Sequence, residues 1–138
     1  MKKNNKGFTL IELVIVVAII GIISSIITPG IVEQANIISL KSDIQAAQSV
    51  SNAIDMYNST QDVPITTLDA AAYQALKTTK LLDDKDFIGD TLDLRLDGNN
   101  LSYTKSDGVL LNIGPDYTDL ADSLDESLKK WISLSASD

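Results

Sequence analysis

Glu12 is the residue least at home in its surroundings. It is the sole ionisable side chain between Phe8 and Ile27, a stretch otherwise built from aliphatic, small and hydroxyl residues. A carboxylate in a membrane helix costs roughly 2.5–3.5 kcal/mol near the bilayer centre on insertion scales, and less near an end. Glu12 stands near the start of the run, so snorkelling towards the polar side is its plainest role. Other chemistry is scarce. The chain has no cysteine and no histidine, which removes disulfides, thiol nucleophiles, cysteine zinc sites and imidazole acid–base catalysis. Serine and aspartate are plentiful, but the usual serine triads need histidine. No phosphate loop or nucleophile–base pair is present, and the sequence does not read as an enzyme. Asp83, Asp84, Asp86 and Asp90 are hard oxygen ligands suited to Ca²⁺, although their spacing matches no EF-hand loop.

The elements that would position Glu12 follow from the distribution of apolar residues. A length of 138 residues fits one domain. Phe8 to Ile27 supplies 20 residues, enough at ~1.5 Å per residue to cross a hydrocarbon core of ~30 Å. Lys2, Lys3 and Lys6 precede it, so that end is expected in the cytoplasm and the remainder outside. A secretory signal would need a small-residue cleavage site after the apolar core. Ser24 and Ser25 fill that role poorly, because the chain continues apolar through Ile26, Ile27, Ile31 and Val32. A plain anchor leaves Glu12 without a purpose. The formal charge is −8, and removing residues 1–7 would leave 8 basic against 19 acidic residues. Such a surface repels nucleic acid and anionic headgroups, and keeps an exported domain soluble.

The string Lys6-Gly7-Phe8-Thr9-Leu10-Ile11-Glu12, with the aliphatic run behind it, resembles the class III signal of type IV prepilins and pseudopilins. The resemblance covers residues 2 to about 58, with its strongest part at residues 6–29. It implies that a prepilin peptidase cuts after Gly7 and that Phe8 becomes the N-methylated mature N-terminus. It implies that Glu12 pairs with the Phe8 ammonium of a neighbouring copy. The residue types agree with that role, since two opposite charges that both avoid hydrocarbon stabilise one another. At i and i+4 they can also pair within one chain. Gly21, Pro29 and Gly30 fall where that family breaks its long helix, and a proline inside a helix removes a hydrogen bond. The implied partners are further copies in a helical filament, the peptidase, a pilus assembly platform and, before assembly, the membrane. No cofactor and no nucleic acid are implied. The implied location is a single-pass precursor in the cytoplasmic membrane, then a pilus at the cell surface. Some secretion pseudopilins that this chain resembles bind calcium in their globular part.

Beyond Pro29 the apolar residues become periodic. Ile37, Leu40, Ile44, Ala47, Val50, Ile54 and Tyr57 recur every three or four positions, one face of an amphipathic helix. Lys41, Asp43, Gln45, Gln48 and Asp55 lie between them. Ser59 to Pro64 ends that helix, and Thr66-Thr67-Leu68-Asp69 reads as the start of a second, over Ala70 to about Lys80. Three short strands are expected at 91–96, 101–105 and 109–113, an antiparallel meander laid on the long helix. Tyr117, Leu120, Leu124, Leu128 and Trp131 then predict a C-terminal helix of about four turns. Many pilins close this region with a disulfide; this chain has no cysteine to do so.

The expected architecture is α+β. Residues 1–7 form a cleaved leader, 8–30 a transmembrane assembly helix, and 31–138 an amphipathic helix with an extracellular head. The function implied is a structural subunit of a type IV pilus serving adhesion, motility or aggregation. The alternative is a pseudopilin of a type II secretion or DNA-uptake system. The mature chain is predicted to begin at Phe8. N-terminal mass spectrometry should find that end, and intact Met1 or a cut near Ser25 would contradict it.

Overall fold

The computed structural model describes residues 7–134, leaving the side chains of residues 27–29 outside the description. Lys2, Lys3 and Lys6 therefore lie outside the described residues. The chain divides into two compact units, Met1–Ala35 and Asn36–Asp138. Helix α1, Leu10–Thr60, contributes to both.

In the first unit the stretch of α1 from Leu13 to Ile23 is apolar on all sides and exposed. Leu13, Val14, Ile15, Val16, Ile19 and Ile20 are all exposed. On either side of residues 27–29, neither Leu10–Ile26 nor Gly30–Thr60 alone is long and apolar enough to cross a membrane. The two meet that test by length and composition only when taken together. Ser24 and Ser25 donate their hydroxyl protons back to the carbonyls of Ile20 and Ile22, so neither leaves a bare hydroxyl on the apolar surface.

The second unit is built on the periodic face of α1. Leu40, Ile44, Ala47, Val50 and Ile54 are fully buried, with Tyr57 packed at the margin. Each buried leucine or isoleucine contributes roughly 1.5–3 kcal/mol relative to exposure. The turn after α1 is held by Asn58, whose amide donates to the Ile65 carbonyl (3.2 Å) while its oxygen accepts from the Ile65 N–H (2.7 Å). Helix α2, Ala70–Thr78, starts at Ala70 as expected, but Thr66 does not cap it. Asp69 itself is the cap, accepting from the Ala72 N–H at 2.8 Å.

A two-residue hairpin follows, β1 (Phe87–Ile88) with β2 (Thr91–Leu92), turning through Gly89 at φ 64°. Phe87 anchors it to α2. Its ring meets Tyr73 edge-on at 5.4 Å, and the Lys77 ammonium lies 4.9 Å from its centre. Burial pushes the Tyr73 hydroxyl up to about 12, so it stays neutral near neutral pH.

The expected three-strand meander is only partly present. Strands β3 (Asn100–Thr104) and β4 (Gly108–Asn112) pair antiparallel, joined by a tight loop ending at Gly108, φ 75°. The segment expected as the first strand is extended only at Thr91–Leu92 and does not join them. Its alternation of Leu92, Leu94 and Leu96 reflects packing on the core, because the N–H groups of Arg95 and Leu96 are taken by a carboxylate of α1 rather than by a strand. The third strand is β5 (Ile132–Ser133), which runs parallel to β4.

The C-terminal segment is helical in pieces. A 3₁₀ helix, Pro115–Ser123, and a one-turn helix α3, Glu126–Lys129, flank an extended Leu124 and Asp125. Tyr117 and Leu120 are three apart, the repeat at which 3₁₀ side chains align. Leu124 then leaves the helix and is buried, while Leu120, Leu128 and Trp131 are partly buried against the same core. The Trp131 carbonyl accepts from the Leu111 N–H at 2.8 Å, which starts β5. Packing thus holds the end of the chain where a covalent bridge is unavailable. Cutting after Pro115 removes these contacts and should lower the melting temperature of the detergent-solubilised chain by ~10 °C or more. An unchanged melt would show that the segment contributes nothing to stability.

Candidate assembly and processing segment

The segment that carries Glu12 starts without helix. Gly7, Phe8 and Thr9 are non-helical, and Phe8 is 95% exposed. The helix begins at Leu10 because Thr9 caps it. The Thr9 N–H donates to Glu12 Oε2 at 2.8 Å, and the Glu12 N–H donates to Thr9 Oγ1 at 3.3 Å. This reciprocal pair is a capping box, in which two backbone N–H groups find side-chain acceptors at the helix start. The negative carboxylate also faces the partial positive charge of the helix N-terminus. Sequence reasoning overlooked this local role of Glu12, although Thr-x-x-Glu ahead of an apolar run is its recognised signature.

The capping box uses one carboxylate oxygen. Among the described residues Glu12 Oε1 has no hydrogen-bond partner, so Glu12 can hold the helix start and still accept a second donor. Phe8, Glu12, Leu13, Ile15 and Val16 line one apolar hollow on this segment. Gly21 and Gly30 are helical, and neither has any atom within 4 Å of the place a side chain would occupy. Among the described residues nothing outside the helix's own backbone therefore requires glycine at either position. Pro29 is within the helix, and its ring lies outside the described side chains.

The acidic loop is arranged differently from a metal cage. Asp83 caps a short turn, accepting from the Lys85 N–H at 3.3 Å, and pairs with the Lys85 ammonium at 3.2 Å. Those bonds to Lys85 hold its carboxyl below the usual range, the backbone one foremost. Asp84 pairs with Lys77 at 3.4 Å, and Asp90 accepts from the Gln74 amide at 3.2 Å. Among the described residues no three acids converge in a way that could hold a metal ion.

One polar residue that sequence reasoning passed over is Asp43. It is the sole buried charged residue among those described, 1% exposed, and sits on the buried face of α1. The loop 95–99 supplies its donors: the N–H groups of Arg95 (2.6 Å) and Leu96 (3.1 Å) and the Asn99 amide (2.8 Å). Its one clue in the sequence is position, one residue before Ile44 and three after Leu40, inside the apolar stripe.

Comparison with known proteins agrees with the geometry of the first segment. Residues 2–28 match the prokaryotic N-terminal methylation motif. The chain is 37% identical over 59 residues to type II secretion system core protein G of Pseudomonas aeruginosa, covering 41% of this chain and 39% of that protein. It is 39% identical over 59 residues to type II secretion system core protein G of Aeromonas hydrophila, with the same shares of each chain. The match thus spans 39% of the length of these curated relatives. No solved structure matches. What these comparisons share is the N-terminal part of the chain: a prokaryotic N-terminal methylation motif, and similarity over 59 residues to type II secretion system core protein G.

Proposed function

We propose that the chain is the structural subunit of a type IV pilus filament, held together through its N-terminal helix. The observation that carries this reading is Glu12: an exposed carboxylate at the start of an exposed apolar helix, with one oxygen unpartnered among the described residues and the Gly7–Phe8 bond in non-helical chain just before it. Cleavage there by a prepilin peptidase leaves an ammonium at Phe8, methylated by the same enzyme. Glu12 of an adjacent copy accepts that ammonium, so two charges that would oppose burial enter the filament as a pair. Before assembly the apolar run sits in the cytoplasmic membrane, from which an assembly platform draws it. Afterwards neighbouring helices cover it, with Gly21, Pro29 and Gly30 giving the helix room to loosen. The role is structural rather than catalytic, and adhesion, motility or aggregation follows from the head that the filament displays.

A second reading, a pseudopilin of a secretion or DNA-uptake system, is favoured by the name that both curated relatives carry. Electron microscopy of sheared surface material, beside an assay of protein export, distinguishes the two. Surface filaments whose loss leaves export intact support the pilus. Export that fails without the chain, with no long surface filament, supports the pseudopilus. Glu12→Ala should reduce filament yield, or export in the second reading, at least ~10-fold while membrane precursor stays at its normal level, as expected for loss of a charge pair from apolar surroundings. Wild-type filament yield from that variant would overturn the assembly role.

A further inference from the structure

The contacts of Asp43 have the form of a binding site. Two consecutive backbone N–H groups, those of Arg95 and Leu96, converge on its carboxylate at 2.6 and 3.1 Å, and Asn99 adds a third donor at 2.8 Å. Successive N–H groups aimed at one point form an anion-binding concavity. The site is also braced from behind. Asn99 turns its oxygen to the Gly114 N–H at 2.9 Å. A side chain at Gly114 would come 2.9 Å from the Asp97 carbonyl oxygen and 3.2 Å from the Gly98 carbonyl carbon. The loop therefore lies directly against the chain leaving β4, with no space for a shift between them. In front, a groove of about 630 Å³ reaches Asp43 between α1 and the β1–β2 hairpin, with Lys85 and Arg95 as its cations and Asp86 and Asp93 as its other acids.

We propose that the 95–99 loop is a carboxylate-binding site, filled in the folded chain by Asp43, and that this occupancy fixes the register in which the loop and β4 seat on α1. Apolar packing alone tolerates small slips of a sheet along a helix, because it has no direction. Three directed hydrogen bonds to one buried carboxylate do not. When the site is empty, the buried Leu96 N–H and the part-buried Arg95 and Asn99 donors are left without their acceptor. The ligand class is a small carboxylate, and the groove gives it a way in.

The test uses the detergent-solubilised full-length chain. Asp43→Ala should lower the melting temperature and speed amide exchange at Arg95 and Leu96 by roughly 10–100-fold, the range set by unsatisfied buried donors. Sodium formate should reverse both effects in that variant along a saturating curve, with sodium chloride at equal ionic strength doing neither. Adding Asn99→Ala should raise the formate concentration needed for half-recovery several-fold. If Asp43→Ala does not fold alone, refolding on formate is the recovery sought, and Asp43→Asn carries the same exchange measurement. The proposal is overturned if formate acts equally on the wild type and Asp43→Ala, if neither variant alters exchange at Arg95 and Leu96, or if an unfolded Asp43→Ala stays unfolded in formate.

Discussion

Leu40, Ile44, Ala47, Val50 and Ile54 present one continuous face of α1 that is wholly removed from water. The rest of residues 36–134 is organised by what reaches that face. Leu76 of α2, Leu96 of the loop, Val109 and Leu111 of β4, and Leu124 of the C-terminal segment join the same cluster. None of the sheets is large: β1, β2 and β5 have two residues each. Strands that short are not independently stable, and three or more strands or a packed helix are needed to hold a sheet in water. The helix face supplies that support, and Asp43 supplies direction at one edge of it.

The first half of α1 meets the opposite condition. Its side chains are as apolar as those of the core, yet they stand exposed. Exposed apolar surface on this scale marks a place where membrane or protein will lie. The Thr9–Glu12 capping box gives the segment a defined beginning without a partner. Glu12 therefore has a local structural reason to be a carboxylate in addition to any role between copies.

Legibility followed the physics of each signal. The helix face was readable because it rests on a long, repeated period, and all five of its central residues are buried as that period requires. The α+β class and the Gly7–Glu12 segment were readable for a similar reason, since each rests on several residues agreeing. Single exceptions were not readable. Asp43 looked like one more polar residue between apolar ones, because its donors lie 52 to 56 positions away. The 92–96 alternation satisfied a strand pattern although its N–H groups bind that carboxylate instead. The C-terminal repeat of Leu120, Leu124 and Leu128 suggested a single α-helix. It conceals a break at Leu124, and the parallel partnership of β5 with β4 depends on contacts that no local pattern encodes.

The two units settle their burial differently: residues 36–134 cover their own helix face, whereas the apolar side chains of the segment before them stand exposed. Removing residues 1–30 and examining the remaining polypeptide by sedimentation and thermal melting tests this directly. The account predicts a soluble monomer that unfolds in one cooperative transition. A polypeptide that aggregates, or that melts without cooperativity, would show that the Leu40–Ile54 face needs neighbouring copies, and would contradict it.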